Sequence, residues 1–181
     1  MFRVYENDDD NRFEWGAIGN VSEGRKNLGD QMPVMIYRLL QFTIKDVLQN
    51  RYGKETMIDI FRSAGELAGR EFSKNMLDLT LPLNDFIAQL QNALAVNEIG
   101  ILRIEKFDPE TGAATLTVSE DLDCSGLPIT GETVCNYDEG FLAGVLKEYT
   151  KKDYIVTEVD CWATGSRVCR FEAAVQEAQK K

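Results

Sequence analysis

Tyr154-Ile-Val-Thr-Glu158-Val-Asp-Cys161-Trp-Ala-Thr-Gly165-Ser-Arg-Val-Cys169-Arg-Phe-Glu-Ala173 reads as two strands folded back on a turn at Ala163-Thr-Gly165. Glu158 and Cys161 straddle the end of the first strand, and Cys169 lies on the return strand. Cys135 stands 23 residues before Glu158, just ahead of an amphipathic stretch that must pack its apolar face on the sheet. Only a fold that returns the chain to its starting point brings the four together. Three thiolates (Cys135, Cys161, Cys169) and one carboxylate (Glu158) converging on a point describe a closed tetrahedral zinc site. All four positions are then taken by protein, so the ion is structural. Two other readings stay open: buried inert thiols, or a Cys161–Cys169 pair across the hairpin. Cys124 lies outside the pattern and reads as a free loop thiol. Lys151, Lys152, Arg167 and Arg170 are close enough in sequence to offset the site's negative charge.

Working outward, the stretch after Cys135 predicts a helix over 136–150, carrying Tyr137, Phe141, Leu142, Val145, Leu146 and Tyr149. An earlier hairpin is written in 99–107 and 113–119, joined by the turn chemistry of Asp108-Pro-Glu-Thr-Gly112. Three helices precede it. The first, over 33–52, places Val34, Tyr37, Leu40, Ile44, Val47 and Leu48 on a core face. The second, over 54–77, sets Gly65 and Gly69 four apart beside Ala64 and Ala68, so a neighbouring backbone can approach closely. The third runs over 82–96. Helices first and antiparallel hairpins after define an α+β fold, with helices packed on a sheet of two hairpins. Residues 1–31 read as an extended arm or short hairpin that docks through Phe13 and Trp15 or covers a partner subunit. Residues 32–174 form the domain and 175–181 a tail.

The 181 residues carry a net charge of −10, which disfavours nucleic acid and anionic membrane surfaces. No apolar run approaches the roughly 20 residues of a membrane span. The polar, acidic start is unlike a signal peptide, so a cytoplasmic protein with reduced thiols is expected. There is no histidine. Histidine-based nucleophiles, histidine-ligated metals and histidine-held haem are thereby excluded, and no catalytic residue is assigned. Asp8-Asp9-Asp10 lacks the glycine and glutamate of a calcium loop.

The segment from Cys135 to Phe171 resembles the 4-vinyl-reductase domain, and the resemblance extends over about residues 35–174. That domain forms the sensory part of phenol- and xylene-responsive transcription activators, occurs as stand-alone proteins, and takes its name from a chlorophyll-biosynthesis protein. The resemblance implies a fold like transport-protein-particle subunits, a homodimer, and zinc at Cys135, Glu158, Cys161 and Cys169. It also implies an apolar cavity between helices and sheet, for which Phe61, Phe86, Leu102, Ile104, Leu116, Phe141, Val145 and Val156 are the candidate lining. The phenol sensors hold the phenolic hydroxyl with a histidine, absent here, so a different apolar or aromatic ligand is expected. No nicotinamide or flavin signature accompanies the reductase name. The expected function is non-enzymatic small-molecule binding or sensing. A reductase or accessory protein for a tetrapyrrole-like substrate, and a scaffold without ligand, are the alternatives.

Overall fold

A computed structural model describes residues 13–176. Asp8-Asp9-Asp10 and the tail beyond residue 176 lie outside the described residues. The chain divides into two compact units between Met32 and Pro33. In the first, Trp15–Ile18 forms a 3-10 turn and Val21–Gly24 a short helix, α1. Among the described residues of this unit, 13–32, these two helical turns stand where an extended arm or hairpin was expected. The reason is local: the Asn20 side chain accepts from the Glu23 backbone N–H at 3.1 Å and caps the helical turn.

The second unit contains α2 (Val34–Tyr52), α3 (Lys54–Met76), α4 (Leu83–Val96), β1 (Ile101–Phe107), β2 (Ala114–Ser119), α5 (Asn136–Thr150), β3 (Tyr154–Asp160) and β4 (Cys169–Val175). The fold is α+β. The four strands are antiparallel in the order β1-β2-β4-β3, so the two hairpins meet along β2 and β4. Leu102, Leu116, Val118, Val156, Phe171 and Ala173 are buried on the sheet, with Leu90 and Leu94 of α4 and Leu142 and Val145 of α5 also in the core. Alternation in β3 puts Tyr154, Val156 and Glu158 inward, so a carboxylate occupies a position of an apolar row. A bulge between Glu158 and Asp160 follows at once and bends the strand toward Cys161.

Helices α3 and α5 touch backbone to backbone. A Cβ at Gly65 would stand 2.0 Å from the Tyr137 carbonyl oxygen, and one at Gly69 2.1 Å from that of Phe141. Reciprocally, a Cβ at Gly140 would meet the Arg62 oxygen at 2.0 Å, and one at Gly144 the Glu66 oxygen at 2.2 Å. The close approach expected at Gly65 and Gly69 is therefore real, and its partner is a second glycine pair in α5. Phe72 and Phe141 close the crossing edge-to-face at 5.4 Å.

Helix α2 departs from expectation. Its buried residues are Gln41 and Lys45, whereas Val34, Met35, Ile36, Leu39, Leu40, Ile44 and Val47 are exposed. The apolar face faces away from the core because the polar one is held inward by buried carboxylates and carbonyls of the loop before α5. No helix among the described residues is long and apolar enough to cross a membrane.

Candidate metal centre

The loop before α5 is built by Asp121. Its Oδ1 accepts from the backbone N–H of Asp123 at 2.9 Å and of Cys124 at 3.0 Å, a local turn that short acidic side chains favour. That turn aims Cys124 inward. Cys135 is the residue from which α5 departs, and Cys161 opens the 3-10 turn Trp162–Thr164. The turn closes with Thr164 N–H donating to Cys161 O at 3.0 Å and Gly165 in the left-handed region at φ 103°. Cys169 begins β4 opposite Val118. Cys135, Cys161 and Cys169 are thus brought together. Cys124, expected to be a free loop thiol, joins them: all four sulfurs lie within 4.8 Å of one another and all four residues are buried. The spacing had no place for Cys124 because its approach depends on how the 120–135 loop folds. The Asp121-Leu-Asp-Cys124 turn was the available signal.

Cys135 Sγ stands 3.8 Å from both Cys161 Sγ and Cys169 Sγ, while Cys124 Sγ is 3.0 Å from Cys169 Sγ. Sulfurs about 2.3 Å from a tetrahedral zinc stand about 3.8 Å apart, so two of these separations already match. No disulfide is formed, and the Cys161–Cys169 pairing across the hairpin is not adopted. Cys124, Cys135 and Cys169 hold the Cys161 thiol far below its usual range. The same bonds, with Cys124 foremost, push Cys135 and Cys169 upward. Four converging thiols are a cluster whose protons a cation can replace.

Glu158 stands beside the four sulfurs, outside their group. Its Oε2 accepts from the backbone N–H of Val134 at 3.1 Å and of Cys135 at 3.0 Å. Its Oε1 is buried without a partner. Burial pushes the carboxyl up to about 8, against the opposing pull of the Cys135 N–H. An orphaned carboxylate oxygen and four converging sulfurs are a donor set that fits a divalent ion. From the other side, Glu139 Oε1 accepts from the Glu158 N–H at 2.9 Å, and Arg62 donates to Glu139 Oε2 at 2.7 Å.

The cations expected near the site are engaged elsewhere. Arg170 pairs with Glu105 and Asp160, Arg167 lies over the Trp162 ring, and Lys151 pairs with Glu148. Lys152 has no ion pair among the described residues. The positive charge comes instead from α2: Lys45 donates to the Val134 carbonyl, and Arg38 to the carbonyls of Leu122 at 2.7 Å and Asp121 at 3.3 Å. Sequence proximity could not identify residues some 80 positions away.

A wholly apolar cavity of about 40 Å³ lies between α4, the sheet and α5. Of the eight candidate lining residues, Phe86, Ile104, Leu116 and Val145 line it; Phe61, Leu102, Phe141 and Val156 do not. Phe61 lies under Lys45, and Phe141 is taken up by Phe72. Tyr149, absent from that set, stacks on Phe86 with ring centroids 3.9 Å apart and completes the wall.

The stretch holding all four cysteines is also the one that a family model matches: residues 114–175 match the V4R domain. This V4R segment comprises β2, α5, β3 and β4. Two uncharacterized proteins of Methanocaldococcus jannaschii are similar over most of the chain. One is 28% identical, with 86% of this chain and 85% of the relative covered; the other is 26% identical, with 84% and 81% covered. Among solved structures, a vinyl-4-reductase family protein from the same organism superposes with a TM-score of 0.59 at 19% identity, over 87% of this chain and 93% of that one. The phenol-responsive sensory domain of the transcription activator PoxR, solved with phenol, gives 0.61 at 13% identity over 81% and 76%. A trafficking protein particle complex subunit 3 from Naegleria fowleri, covalently bound to palmitic acid, gives 0.58 at 11% identity over 82% and 95%. The fold is thus similar to those of a vinyl-4-reductase family protein and a transport-particle subunit, as the resemblance implied.

Proposed function

We propose that this protein binds or senses a small apolar molecule, using a structural zinc ion to fix the frame of its pocket. The observation that carries the reading is the small cavity with purely apolar surface between α4, the sheet and α5. Similarity to a domain solved with phenol and to a subunit carrying palmitate supports it. At about 40 Å³ the cavity is smaller than the roughly 150 Å³ that accepts benzene. Entry therefore requires the Phe86–Tyr149 stack to part. With no histidine, a polar anchor for phenol is missing, and alkyl or unsubstituted aromatic groups fit the wall better.

Zinc is held by Cys135, Cys161 and Cys169, with Cys124 as the fourth donor and Glu158 as the adjacent carboxylate that would replace it. Bound there, the ion supplies a charge-neutralising crosslink. Cys124 ties the 120–135 loop, Cys135 the start of α5, and Cys161 and Cys169 the closing hairpin. The outward apolar face of α2 is the surface on which a second copy docks, giving the homodimer that the family resemblance implies.

A ligandless scaffold is the second reading, favoured by the small volume. Thermal melts with alkanes, fatty acids and simple aromatics separate the two. Binding predicts a rise in Tm that Leu116→Trp abolishes without lowering the zinc content. No shift with any compound would sink the ligand reading and leave the scaffold. A tetrapyrrole-like substrate is far larger than the cavity, and turnover of one would be needed to revive a reductase.

A further inference from the structure

Beside the four sulfurs lies a second set of donors that a structural zinc leaves unused. One carboxylate oxygen from each of Asp121 and Asp138 and the Sγ of Cys135 lie within 4.8 Å of one another. Asp138 sits in the first turn of α5, three residues after Cys135. Its Oδ2 is fully enclosed and has no hydrogen-bond partner. Asp121 Oδ1, besides accepting its two backbone N–H groups, lies 3.9 Å from Cys135 Sγ. Asp123 next door is different, because Tyr37 donates to it at 2.8 Å and Gln41 donates to its other oxygen. Asp138 alone of the three has an enclosed oxygen that no group satisfies.

Charge makes the same point. Four cysteines, Asp121, Asp123, Asp138 and Glu158 are all gathered here, and Asp138 senses Asp123, Asp121, Glu158 and Cys124. The facing cations are Lys45 and Arg38 of α2. One divalent ion with these two offsets four of the eight groups when all are ionised; a second ion offsets two more. Asp121 is buried, and the enclosed Oδ2 of Asp138 has no partner. Burying an uncompensated carboxylate is costly, and protonation or a cation is the remedy.

We propose that Asp121, Asp138 and Cys135 hold a second divalent cation of the zinc or cobalt class, with the Cys135 thiolate shared between it and the four-cysteine ion. Two oxygens and one sulfur suit a borderline cation. Three protein donors leave a fourth position for an exchangeable ligand. Asp121 also lines an open cleft of about 470 Å³ together with Arg38, Trp162 and Arg167, through which such a ligand reaches the ion. The inference rests on the four-cysteine reading, and metal stoichiometry tells the two apart.

The test is titration of chelator-stripped full chain with cobalt(II), followed by absorbance and elemental analysis, for wild type, Asp138→Asn, Asp121→Asn and Cys161→Ser. Two equivalents for wild type, with one lost in either Asn variant while the intense thiolate-to-cobalt absorbance persists, is the expected result. One equivalent in wild type, unchanged in both Asn variants, overturns the second site and leaves the first standing. Two equivalents in all three of wild type and the Asn variants overturns the assignment to these carboxylates. A single equivalent in wild type that disappears on Asn substitution also overturns the two-ion arrangement. No uptake at all removes both sites. Either Asn variant suffices if the other misfolds.

Discussion

Cys161 is the most consequential single residue, because three other sulfurs converge on it and its backbone N–H is fixed by Thr164 Oγ1 at 3.1 Å. Structural zinc supplies on the order of 10 kcal/mol of apparent binding energy at neutral pH. Cys161→Ser should therefore strip the four-cysteine ion and remove most of the folding stability, as elemental analysis and thermal melting will register. The fourth donor is decided by a pair of variants. With Cys124 in that role, Cys124→Ser loosens the metal markedly, whereas Glu158→Gln leaves stoichiometry intact and weakens affinity about 10–100-fold, as loss of a supporting partner does. Reversal of that order in a competitive chelator assay would put Glu158 back in the coordination sphere. Glu158 was singled out by its spacing to the cysteines; the structure adds that it sits inward on β3 with Oε1 unpartnered. Cys124 was not, since no spacing rule connects it to the hairpin.

At the scale of elements, the crossing of α3 and α5 sets where Cys135 lies relative to the hairpin. Four glycines permit it, and each faces a carbonyl oxygen on the other helix at about 2 Å from an added Cβ. Gly140→Ala must push two helix backbones apart, a cost of about 1–3 kcal/mol or more. In a chain of this size that lowers Tm by roughly 2–4 °C per kcal/mol. Gly24→Ala, where an added Cβ meets nothing within 4 Å, is the control and should leave Tm unchanged or slightly higher. Equal melting of the two variants would refute the close-packed crossing. Glu139 makes a second link, taking bonds from Arg62, Asn136 and the Glu158 N–H. Glu139→Ala leaves that N–H unpaired and should lower both Tm and metal affinity, measured together on one preparation.

At the scale of the whole molecule, the unusual feature is α2, whose polar residues face inward and whose apolar residues face out. Met35 is 73% exposed, Leu39 61% and Leu40 60%. A contiguous apolar helix face on a protein of net charge −10 suits the docking of the second copy proposed above. Replacing Leu39 and Leu40 together by Glu should convert a dimer to a monomer in light scattering, with the metal retained. A monomeric wild type, or a dimer indifferent to the change, would remove α2 from the interface. Because Lys45 and Arg38 of the same helix bond the loop that carries Cys124, the exposed apolar face and the cysteine cluster share one element.

The order of helices and hairpins, the inward row of each strand and the convergence of Cys135, Cys161 and Cys169 were written in the sequence. Periodicity and spacing are local quantities, and a short turn brings the two strands of a hairpin side by side. Which face of α2 turns inward, which helix Gly65 and Gly69 meet, and where Cys124 and Asp138 point were decided by the tertiary structure alone. Each depends on a partner distant along the chain: a buried carboxylate that claims the polar side of a helix, a matching glycine pair, or a loop whose turn aims a thiol. Burial in a shared low-dielectric interior gives those pairings their energy, and no local pattern records it.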